Sequence, residues 1–555
     1  MPLDGSPADG GAFAGIAGST GQEAVRPPAA NAAADVEFSP SASLPAPSAD
    51  TLTSRTAAAG GVRPARPVTK GSGRDPVLWL IAGVVFGAYA TISVFRYLRR
   101  DPTSWDLGIF TEYVKQFAHL HAPIVDIRGP GFNLLGDHFH PIVAVLAPFF
   151  RLAPTPVTLL IAQALLTALS VIPVYRAADQ LLSRGAAQAI TAAYGLSWGL
   201  QQLANYDFHE IAFAVPLLAA SLSALIRGRT RAAIWWALPL VLVKEDQGFT
   251  LAALGLIIAF SYRRHAPGLI LAGWGLAWSL LAILVIIPHF SGDHTYSYWS
   301  QAGAISPVGG NFSVGGLWSH LTNGIGTKLP TLALILLPTA FLALRSPLVL
   351  AILPSLALRF IALKSAYWGT DWHYNATVMP IVFIAAIDGM ARIKAARARA
   401  EDGSQEHGSQ EVMSARLAVF ARRAAGNLEH YGAAAMLALA AGLAFQFPLS
   451  SIWTPATYSL GPHVAAENAA IALVPTGAKV STDLDLLAPL AARTDTYWLG
   501  NFDNPVTTYV VFDTESTDWQ PPPTNVQQFV EGLEHGTQFR QIFEQDGVYV
   551  FRRAG

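Results

Sequence analysis

Side chains that could transfer a proton, bind an anion or ligate a metal gather in short polar runs of a largely apolar chain. The runs are Trp105-Asp106-Leu107-Gly108, Gly136-Asp137-His138-Phe139-His140, Asn205-Tyr206-Asp207-Phe208-His209-Glu210, Lys244-Glu245-Asp246 and Tyr367–Asn375. Carboxylates and imidazoles serve general acid–base chemistry, and lysine holds phosphate as a point charge. Their clustering predicts one functional site built from several loops.

Asp106 is the first acidic residue of these runs, and it follows a long apolar segment closely. A carboxylate at the boundary between water and lipid can act as a general base towards an acceptor hydroxyl. We expect partial burial beside aromatic residues to raise its pKa. The alternative is an N-cap for the following helix, since aspartate is a preferred capping residue.

A very short connection between two apolar segments contains Asp207, His209 and Glu210. Charged groups so close to the lipid are costly in free energy unless they face a water-filled cavity or a partner. A structural alternative is a capping-box-like pattern, with Asp207 as cap and Glu210 three residues later. Lys244 is either one half of an internal ion pair or a cation for a phosphate group. Arg359 and Lys364 could hold a phosphate in the same way.

Aromatic residues add a possible sugar-binding surface. The outer loop 289–328 contains Tyr296, Tyr298 and Trp299, and the run ending at Asn375 contains Asp371, His373 and Tyr374. Rings can pack on the C–H faces of a sugar while carboxylates accept its hydroxyls. An interfacial belt of tryptophan and tyrosine is the alternative for each ring taken singly.

Metal and cofactor signals are weak. His138, Asp207 and His209 are the candidate metal ligands, but the spacing of His138 and His140 does not favour joint ligation. A divalent cation is possible and no cofactor is required by the sequence. Neither a phosphate-binding G-x-x-x-x-G-K-[ST] loop nor an H-E-x-x-H or G-x-S-x-G motif occurs. The chain has no cysteine, which excludes thiol chemistry and disulfides, and its net charge of -1 gives no reason to expect nucleic acid.

The composition indicates a polytopic α-helical membrane protein. Of the 555 residues, 52% are hydrophobic and 13% are charged, against roughly 25% charged in soluble proteins. Residues 1–74 lack hydrophobic periodicity and are predicted to be a disordered cytoplasmic tail. About 11 transmembrane helices follow from the apolar segments. These are 77–97, 157–176, 186–204, 211–226, 231–243, 248–262, 267–288, 329–344, 347–363, 375–391 and 431–447.

The distribution of lysine and arginine predicts the orientation. Short basic loops alternate with the loops that hold the polar runs, so the two sets should lie on opposite sides. The N-terminus is then cytoplasmic, as is the linker 392–430, and a large first outer loop covers 99–156. The multi-span membrane domain occupies 75–447, with 141–153 as an interfacial helix rather than a span.

The segment 448–555 has a different character and predicts a small soluble α/β domain outside the membrane. We expect helices at 463–474, 485–493 and 525–535, and strands at 478–483, 494–499 and 507–513. A hairpin at 538–553 should turn at Asp546-Gly547.

Five ordered motifs resemble a family of predicted bacterial membrane proteins, domain of unknown function 2079. The motifs are Asp106-Leu107-Gly108-Ile109-Phe110, Gly136-Asp137-His138-Phe139 with Pro141, Asp207-Phe208-His209, Val243-Lys244-Glu245-Asp246, and His373-Tyr374-Asn375-Ala376 with Pro380. The resemblance runs from about residue 78 to the C-terminus. That family's layout is similar to the GT-C superfamily of membrane glycosyltransferases, which includes protein mannosyltransferases and arabinosyltransferases.

The resemblance implies a multi-pass protein of the bacterial cell membrane that takes sugar from a polyprenyl-phosphate donor for an envelope acceptor. Those enzymes carry an essential acidic residue just after the first span, where Asp106 stands, although the paired Asp-Glu of protein mannosyltransferases is absent because Leu107 follows. Asp106 would be the catalytic base. The expected substrate-binding residues are Asp137, His138, Asp207, His209, Glu210, Lys244, Glu245, Asp246, Arg359, Lys364, Asp371, His373 and Tyr374.

Two other functions fit the same sequence. A transporter or flippase of a lipid-linked or polar solute would carry repeats and ionisable residues near mid-membrane, and no two halves of this chain match. A non-enzymatic envelope scaffold would use 448–555 as its binding element. The sequence leaves the sugar, the acceptor and the oligomeric state open.

Overall fold

Apolar helices dominate the computed structural model, which describes residues 75–101, 105–300, 314–405 and 429–555. Four helices in this part of the chain are long and apolar enough to cross a membrane, namely Pro76–Leu98, Pro156–Leu181, His265–Phe290 and His373–Arg399. Six shorter apolar helices accompany them: Pro141–Leu152, Glu210–Ile226, Thr230–Leu242, Gln247–Phe260, Ile325–Thr339 and Pro347–Ile361. The predicted tail 1–74 lies outside the described residues, and the count of eleven spans stays a prediction.

The helical elements follow the chain from the first span to the C-terminal segment. The α-helices of the apolar part are α1 Pro76–Leu98, α2 Trp105–Ala118, α3 Ala147–Leu152, α4 Pro156–Leu181, α5 Arg184–Gly195, α6 Trp198–Asn205, α7 Ala214–Ile226, α8 Thr230–Ala237, α9 Gln247–Phe260, α10 His265–Leu281, α11 Ile287–Phe290, α12 Val314–Thr322, α13 Ile325–Leu336, α14 Leu353–Ile361, α15 Val378–Gln405 and α16 429–444. α15 therefore extends into the segment that the sequence assigns to a cytoplasmic linker, and residues 406–428 lie outside the described part.

Local sequence signals start the first spans. Pro76 occupies the first turn of α1, and the Asp75 carboxylate caps the helix by accepting from the Val77 amide at 3.0 Å. Thr155 caps α4 in the same way, ahead of Pro156. Proline at the first helical position has no hydrogen bond to lose, so both helices begin at a defined residue.

Several apolar segments are broken rather than continuous. The predicted span 186–204 consists of α5 and α6, with Leu196 and Ser197 between them. Likewise the segment 231–243 is α8 followed by a 3₁₀ turn, Leu238–Leu242, that ends at Lys244-Glu245-Asp246. Breaks of this kind expose backbone polar groups, which membrane proteins tolerate where the backbone is buried in protein or lines a cavity.

Glycines let α9 and α10 pack with their backbones almost in contact. A side-chain carbon at Gly255 would lie 2.5 Å from the Ala272 amide, and one at Gly275 would lie 2.4 Å from the Gly248 carbonyl oxygen. Only glycine allows this approach, which is a common way of joining membrane helices. The two helices form an antiparallel hairpin whose turn, 261–264, lies at the far end of α9 from Lys244-Glu245-Asp246.

The C-terminal segment forms a five-stranded mixed sheet with helices on both faces. Its elements are α17 Pro462–Leu473, β1 Lys479–Thr482, α18 Leu484–Ala491, β2 Asp495–Trp498, β3 Tyr509–Asp513, α19 Val526–Leu533, β4 Phe539–Gln545 and β5 Val548–Arg553. The strand order is β2-β1-β3-β5-β4, with β1 parallel to β2 and β3 and with β5 antiparallel to β3 and β4. Each predicted helix and strand of this segment is present within two residues of its expected bounds.

The sheet has an apolar core on each face. Residues Ala466, Val480, Leu490 and Val550 share one core, and Val510, Phe512, Val530 and Phe551 share the other. Alternation along β3 supplies both sides, because successive side chains of a strand point to opposite faces.

α2 joins this segment to the apolar helices. Gly108 on α2 approaches α18 closely, since a side-chain carbon there would lie 3.0 Å from Leu487 Cβ. The Lys115 ammonium donates to the Thr494 carbonyl at 2.7 Å, and the Asn501 amide donates to the Ile127 carbonyl at 3.0 Å. The first loop after α1 and the C-terminal segment therefore pack at the same end of the helices.

Candidate active site

Asp106 occupies the first turn of α2 and is partly exposed, with 24% of its side chain accessible. Its Oδ2 accepts from the Tyr206 hydroxyl at 2.6 Å and lies 3.4 Å from His209 Nε2. The backbone amide of Leu107 is instead bonded to the Asp207 carboxylate, at 3.2 Å. The Asp207 carboxylate therefore binds a backbone amide in the first turn of α2. The Asp106 carboxylate instead contacts Tyr206 and His209 in the loop Asn205–Glu210.

The capping-box interpretation of Asp207 and Glu210 is wrong. The short 3₁₀ helix Glu210–Phe213 begins after His209 and has no side-chain cap. The Asp207 carboxylate accepts from the amide of Leu107, 100 positions earlier in the chain, and the Glu210 carboxylate pairs with Lys244. A long-range partner thus replaces the local one for each carboxylate.

Four charged groups alternate in sign across three segments of chain. His209 stands between Asp106 and Glu210, because its Nδ1 lies 3.5 Å from Glu210 Oε2. Glu210 Oε1 in turn lies 3.2 Å from the Lys244 ammonium. His209 and Glu210 are buried, whereas Asp106 and Lys244 at the two ends remain partly exposed. An incoming ligand can therefore reach a carboxylate at one end of the row and a cation at the other.

The charge states of the row follow from its own contacts. Burial would raise the pKa of Asp106, but the His209 imidazolium and the Tyr206 hydroxyl outweigh it and lower the pKa below its usual value. The expectation of a raised pKa was therefore wrong. For His209, burial would lower the pKa, and Asp106 and Glu210 raise it to about 9. At neutral pH, Asp106 is a carboxylate and His209 an imidazolium.

Aromatic rings pack along one side of this row of charged residues. The His373 ring stacks on His209 with 3.5 Å between centroids, and Tyr206 stacks on His209 at 5.2 Å. Trp372 meets Tyr206 edge-on at 4.6 Å and has a positive backbone φ of 64°. A non-glycine residue in this region costs free energy, so the surrounding loop must hold Trp372 in place. Tyr374 continues the wall beside His373, at 4.3 Å.

Glu245 organises a second polar group next to Lys244. Its carboxylate accepts from His138 Nδ1 at 2.7 Å, from the Phe139 amide at 3.1 Å and from the Tyr296 hydroxyl at 3.1 Å. Burial would raise the pKa of Glu245, but His138 outweighs it and lowers the pKa to about 2. His138 also stacks on Tyr298, with centroids 4.4 Å apart. The loop 289–300 and the run Gly136–His140 therefore converge on Glu245.

The remaining predicted site residues have different surroundings. Asp137 pairs with Arg128 at 3.6 Å, and Asp246 accepts from the Gln247 side chain at 3.1 Å. Asp371 is exposed and Lys364 partly exposed, and within the described residues neither bonds to Asp106, His209, Glu210 or Lys244. Among the described contacts, these four residues therefore do not join the charged row.

Arg359 is buried and already occupied. Its guanidinium donates to the carbonyls of Tyr367, Gly369 and Tyr374 and to the Asn375 side chain, at 2.9 to 3.3 Å. These bonds fold the loop that carries Trp372 and His373. The structure therefore gives Arg359 a positioning role, and Lys244 is the cation of this cluster that remains partly exposed.

The candidate metal ligands do not meet. His138 bonds to Glu245, Asp207 to the Leu107 amide, and His209 lies between Asp106 and Glu210. Within the part of the chain that the structure describes, these three side chains form no group that could share one ion.

Sequence reasoning missed two kinds of contact. The Tyr206 hydroxyl binds Asp106, and Glu112, six residues after Asp106 on α2, is buried with its carboxylate accepting from the Ile127 amide at 3.2 Å. An acidic residue within an otherwise apolar helical stretch was the available signal for Glu112. Tyr206 belongs to one of the polar runs, but the local pattern could not indicate its partner, which is 100 residues away.

Fold and site together define a polytopic membrane protein with a charged, partly open cluster where its first long helix ends. A family model described as "Predicted membrane protein (DUF2079)" matches residues 101–550. The chain belongs to this family, as its five motifs indicated. No curated protein matches the sequence.

Comparison with solved structures shows a similar fold over most of this chain. The crystal structure of ArnT from Cupriavidus metallidurans bound to undecaprenyl phosphate is similar with a TM-score of 0.51 at 14% identity, over 87% of this chain and 99% of that chain. The apo structure of the same ArnT is similar with a TM-score of 0.47 at 14% identity, over 87% of this chain and 98% of that chain. The arabinosyltransferase EmbB from Mycobacterium smegmatis has a TM-score of 0.36 at 15% identity, over 77% of this chain and 44% of that chain. The fold assignment rests on the ArnT complex.

Proposed function

We propose that this protein is a membrane glycosyltransferase that moves a sugar from a polyprenyl-phosphate donor to an envelope acceptor. The observation that carries the proposal is the row Asp106–His209–Glu210–Lys244, which offers a carboxylate and an ammonium group at its partly exposed ends. The shared fold with ArnT, whose crystal structure holds undecaprenyl phosphate, supports the class of donor.

Asp106 would act as the base of an inverting displacement. It takes the proton of the acceptor hydroxyl while the acceptor oxygen bonds to the sugar's anomeric carbon. The bond from that carbon to the phosphate oxygen breaks, and polyprenyl phosphate leaves with the electron pair. A lowered pKa keeps Asp106 in the carboxylate form that a base requires, and a phosphate leaving group needs no strong base.

Lys244 would stabilise the departing phosphate. Burial would lower the pKa of Lys244, but Glu210 and Glu245 raise it well above its usual value, so its ammonium keeps its charge. Fixed positive charge aimed at a developing negative charge lowers the barrier without reorganisation at the moment of reaction. His138, Tyr298, Trp372 and Tyr374 are the rings that would contact the sugar.

The proposal includes the orientation that the basic loops indicate. The charged row would face the outer side of the bacterial cell membrane, with the N-terminus in the cytoplasm and the segment 448–555 outside. About eleven spans would complete the membrane domain.

Removing the carboxylate of Asp106 tests the proposed chemistry. Cells lacking the protein should accumulate a polyprenyl-phosphate sugar, read by mass spectrometry of the lipid fraction. The wild-type chain should abolish that accumulation and Asp106→Asn should not. Asparagine keeps a hydrogen-bond acceptor for Tyr206 but cannot take a proton, and we expect the transfer rate to fall by about 10²- to 10⁴-fold.

Asp293→Asn is the matched control, because Asp293 is an exposed aspartate whose bonds to described residues stay within its own loop, to Ser291 and Thr295. That variant should complement like wild type. If Asp106→Asn is inserted at normal levels and complements fully, Asp106 is not the base. If cells lacking the protein accumulate the lipid-linked sugar and Asp106→Asn still removes it, the result would favour a transporter or flippase over a glycosyltransferase.

A further inference from the structure

We propose that the C-terminal segment binds one divalent transition-metal ion through His463, Glu467 and Asp513. One ligand atom of each side chain lies within 4.8 Å of the other two. This group is separate from the charged row at Asp106. It is the one group of three or more such side chains found together in the described part of the chain.

The backbone supplies the three side chains from two elements. His463 and Glu467 stand one turn apart on α17, so they project from the same face of the helix. Asp513 is the last residue of β3. Zinc ligands stand about 2.0 to 2.2 Å from the ion, so neighbouring ligand atoms are separated by at most roughly 4.4 Å. Small side-chain rotations would place all three around one ion.

The two carboxylates are fully withdrawn from solvent. Glu467 and Asp513 are each 1% exposed, and His463 Nε2 already lies 2.8 Å from Asp513 Oδ2. Glu467 Oε2 is buried without a hydrogen-bond donor. Arg100 Nε is 3.8 Å from it, beyond hydrogen-bond range, and the Nη2 of that guanidinium donates to Asn468 at 2.8 Å. A buried carboxylate oxygen without a donor is costly, and a bound cation would satisfy it.

Further negative charge surrounds the histidine. His463 Nδ1 lies 3.5 Å from Asp546 Oδ2 and 3.9 Å from Glu515 Oε2, and it has no hydrogen-bond partner. With Glu467 and Asp513, four carboxylates therefore face one imidazole and the Arg100 guanidinium. This imbalance favours a dication over a structural ion pair.

The donor set selects the kind of ion. One imidazole nitrogen with carboxylate oxygens suits Zn²⁺ or Mn²⁺, whereas Ca²⁺ and Mg²⁺ prefer oxygen ligands alone. A bound ion would fasten α17 to the end of β3. Because Arg100 lies two residues after the end of α1 and interacts with both Glu467 and Asn468, the ion would also fix how this segment meets the first membrane helix.

Metal titration of the full-length protein in detergent tests the site. The protein is stripped with a chelator and dialysed against Zn²⁺ or Mn²⁺ alone, and bound metal is counted by mass spectrometry. We expect wild type to retain one equivalent and to gain thermal stability with metal, since an ion bound only by the folded state raises Tm. Glu467→Gln and His463→Ala should bind at least about tenfold more weakly and lose the metal-dependent rise in Tm.

Matched controls in the same segment are Glu544→Gln and His535→Gln. Glu544 is exposed on β4, and His535 bonds to the Asn504 carbonyl away from the group. Both controls should bind like wild type. Glu467→Gln keeps the size of the side chain, and its Tm without metal shows whether it is folded. The proposal is overturned if wild type retains no metal, or if folded Glu467→Gln retains as much as wild type.

Discussion

Glu112 places its carboxyl group on the buried face of α2 and offers a residue-scale test of the region beside Asp106. Burial raises the pKa of Glu112 to about 8, with Lys115 opposing the shift. The folded protein thus keeps a proton that the unfolded chain releases near pH 4.5. Stability from this group is complete below pH 4.5 and is lost as pH rises towards 8.

We therefore expect Glu112→Gln to change how Tm depends on pH. Glutamine can accept from the Ile127 amide as Glu112 does, yet it does not ionise. Relative to wild type, the variant should gain up to about 1.4 kcal/mol per pH unit between pH 5 and 8 and no more above that range. Thermal melts in detergent across this range measure the difference. Glu544→Gln, on the surface, should follow wild type, and parallel curves for Glu112→Gln would contradict the assignment.

At the scale of single residues, the sequence could single out candidate residues for the site but could not show which residues contact each other. Asp106, His209 and Lys244 were recognisable because charge is rare beside apolar segments and must be compensated there. Their order in one row, and hence the lowered pKa of Asp106, depends on contacts between residues about 100 and 34 positions apart. The four bonds of Arg359 likewise come from a folded loop, which no local pattern predicts.

Helix α10 provides an element-scale test, because only one of its faces needs glycine. A side-chain carbon at Gly275 would meet the Gly248 carbonyl oxygen at 2.4 Å, while one at Gly273 meets no atom within 4 Å. Gly275→Leu should therefore push α9 and α10 apart and cost at least about 1–3 kcal/mol, as overpacking does. Gly273→Leu, two residues away, should leave Tm nearly unchanged.

Thermal unfolding of both variants in detergent measures this difference. Equal melting temperatures would show that α9 and α10 do not pack through these glycines. Separating the two helices would also disturb Ser279, whose hydroxyl donates to the Glu245 carbonyl at 2.6 Å. The packing of α10 thus bears on the position of Glu245 in the candidate site.

Helices and strands could be predicted where the sequence pattern of apolar and turn residues is regular. The alternation of short strands and helices in 448–555 gave bounds close to the observed ones, because each element is flanked by turn residues such as Asp546-Gly547. Hydropathy located the apolar segments but not their breaks, since Leu196 and Ser197 between α5 and α6 are no more polar than residues within helices. Tertiary packing decides such breaks, and composition does not record it.

For the whole molecule, α2 couples two parts of the structure. Asp106 at its start belongs to the charged row, while Gly108 and Lys115 contact the C-terminal segment. The row and the proposed metal group therefore lie on one structural unit with the end of α1. Both should face the same side of the membrane.

Single cysteines can test this orientation, because the chain has none of its own. Ala122 is exposed in the loop after α2, on the side of the charged row, and Glu544 is exposed in the C-terminal segment. Ala266 is exposed in the first turn of α10, next to the turn 261–264. This turn follows α9, whose 14 residues span about 21 Å and begin directly after Asp246. In intact cells, a membrane-impermeant maleimide should label Ala122→Cys and Glu544→Cys. It should label Ala266→Cys only after permeabilisation, because the Lys/Arg distribution places that loop inside. Labelling of Ala266→Cys alone would invert the proposed topology and with it the side on which the donor is bound.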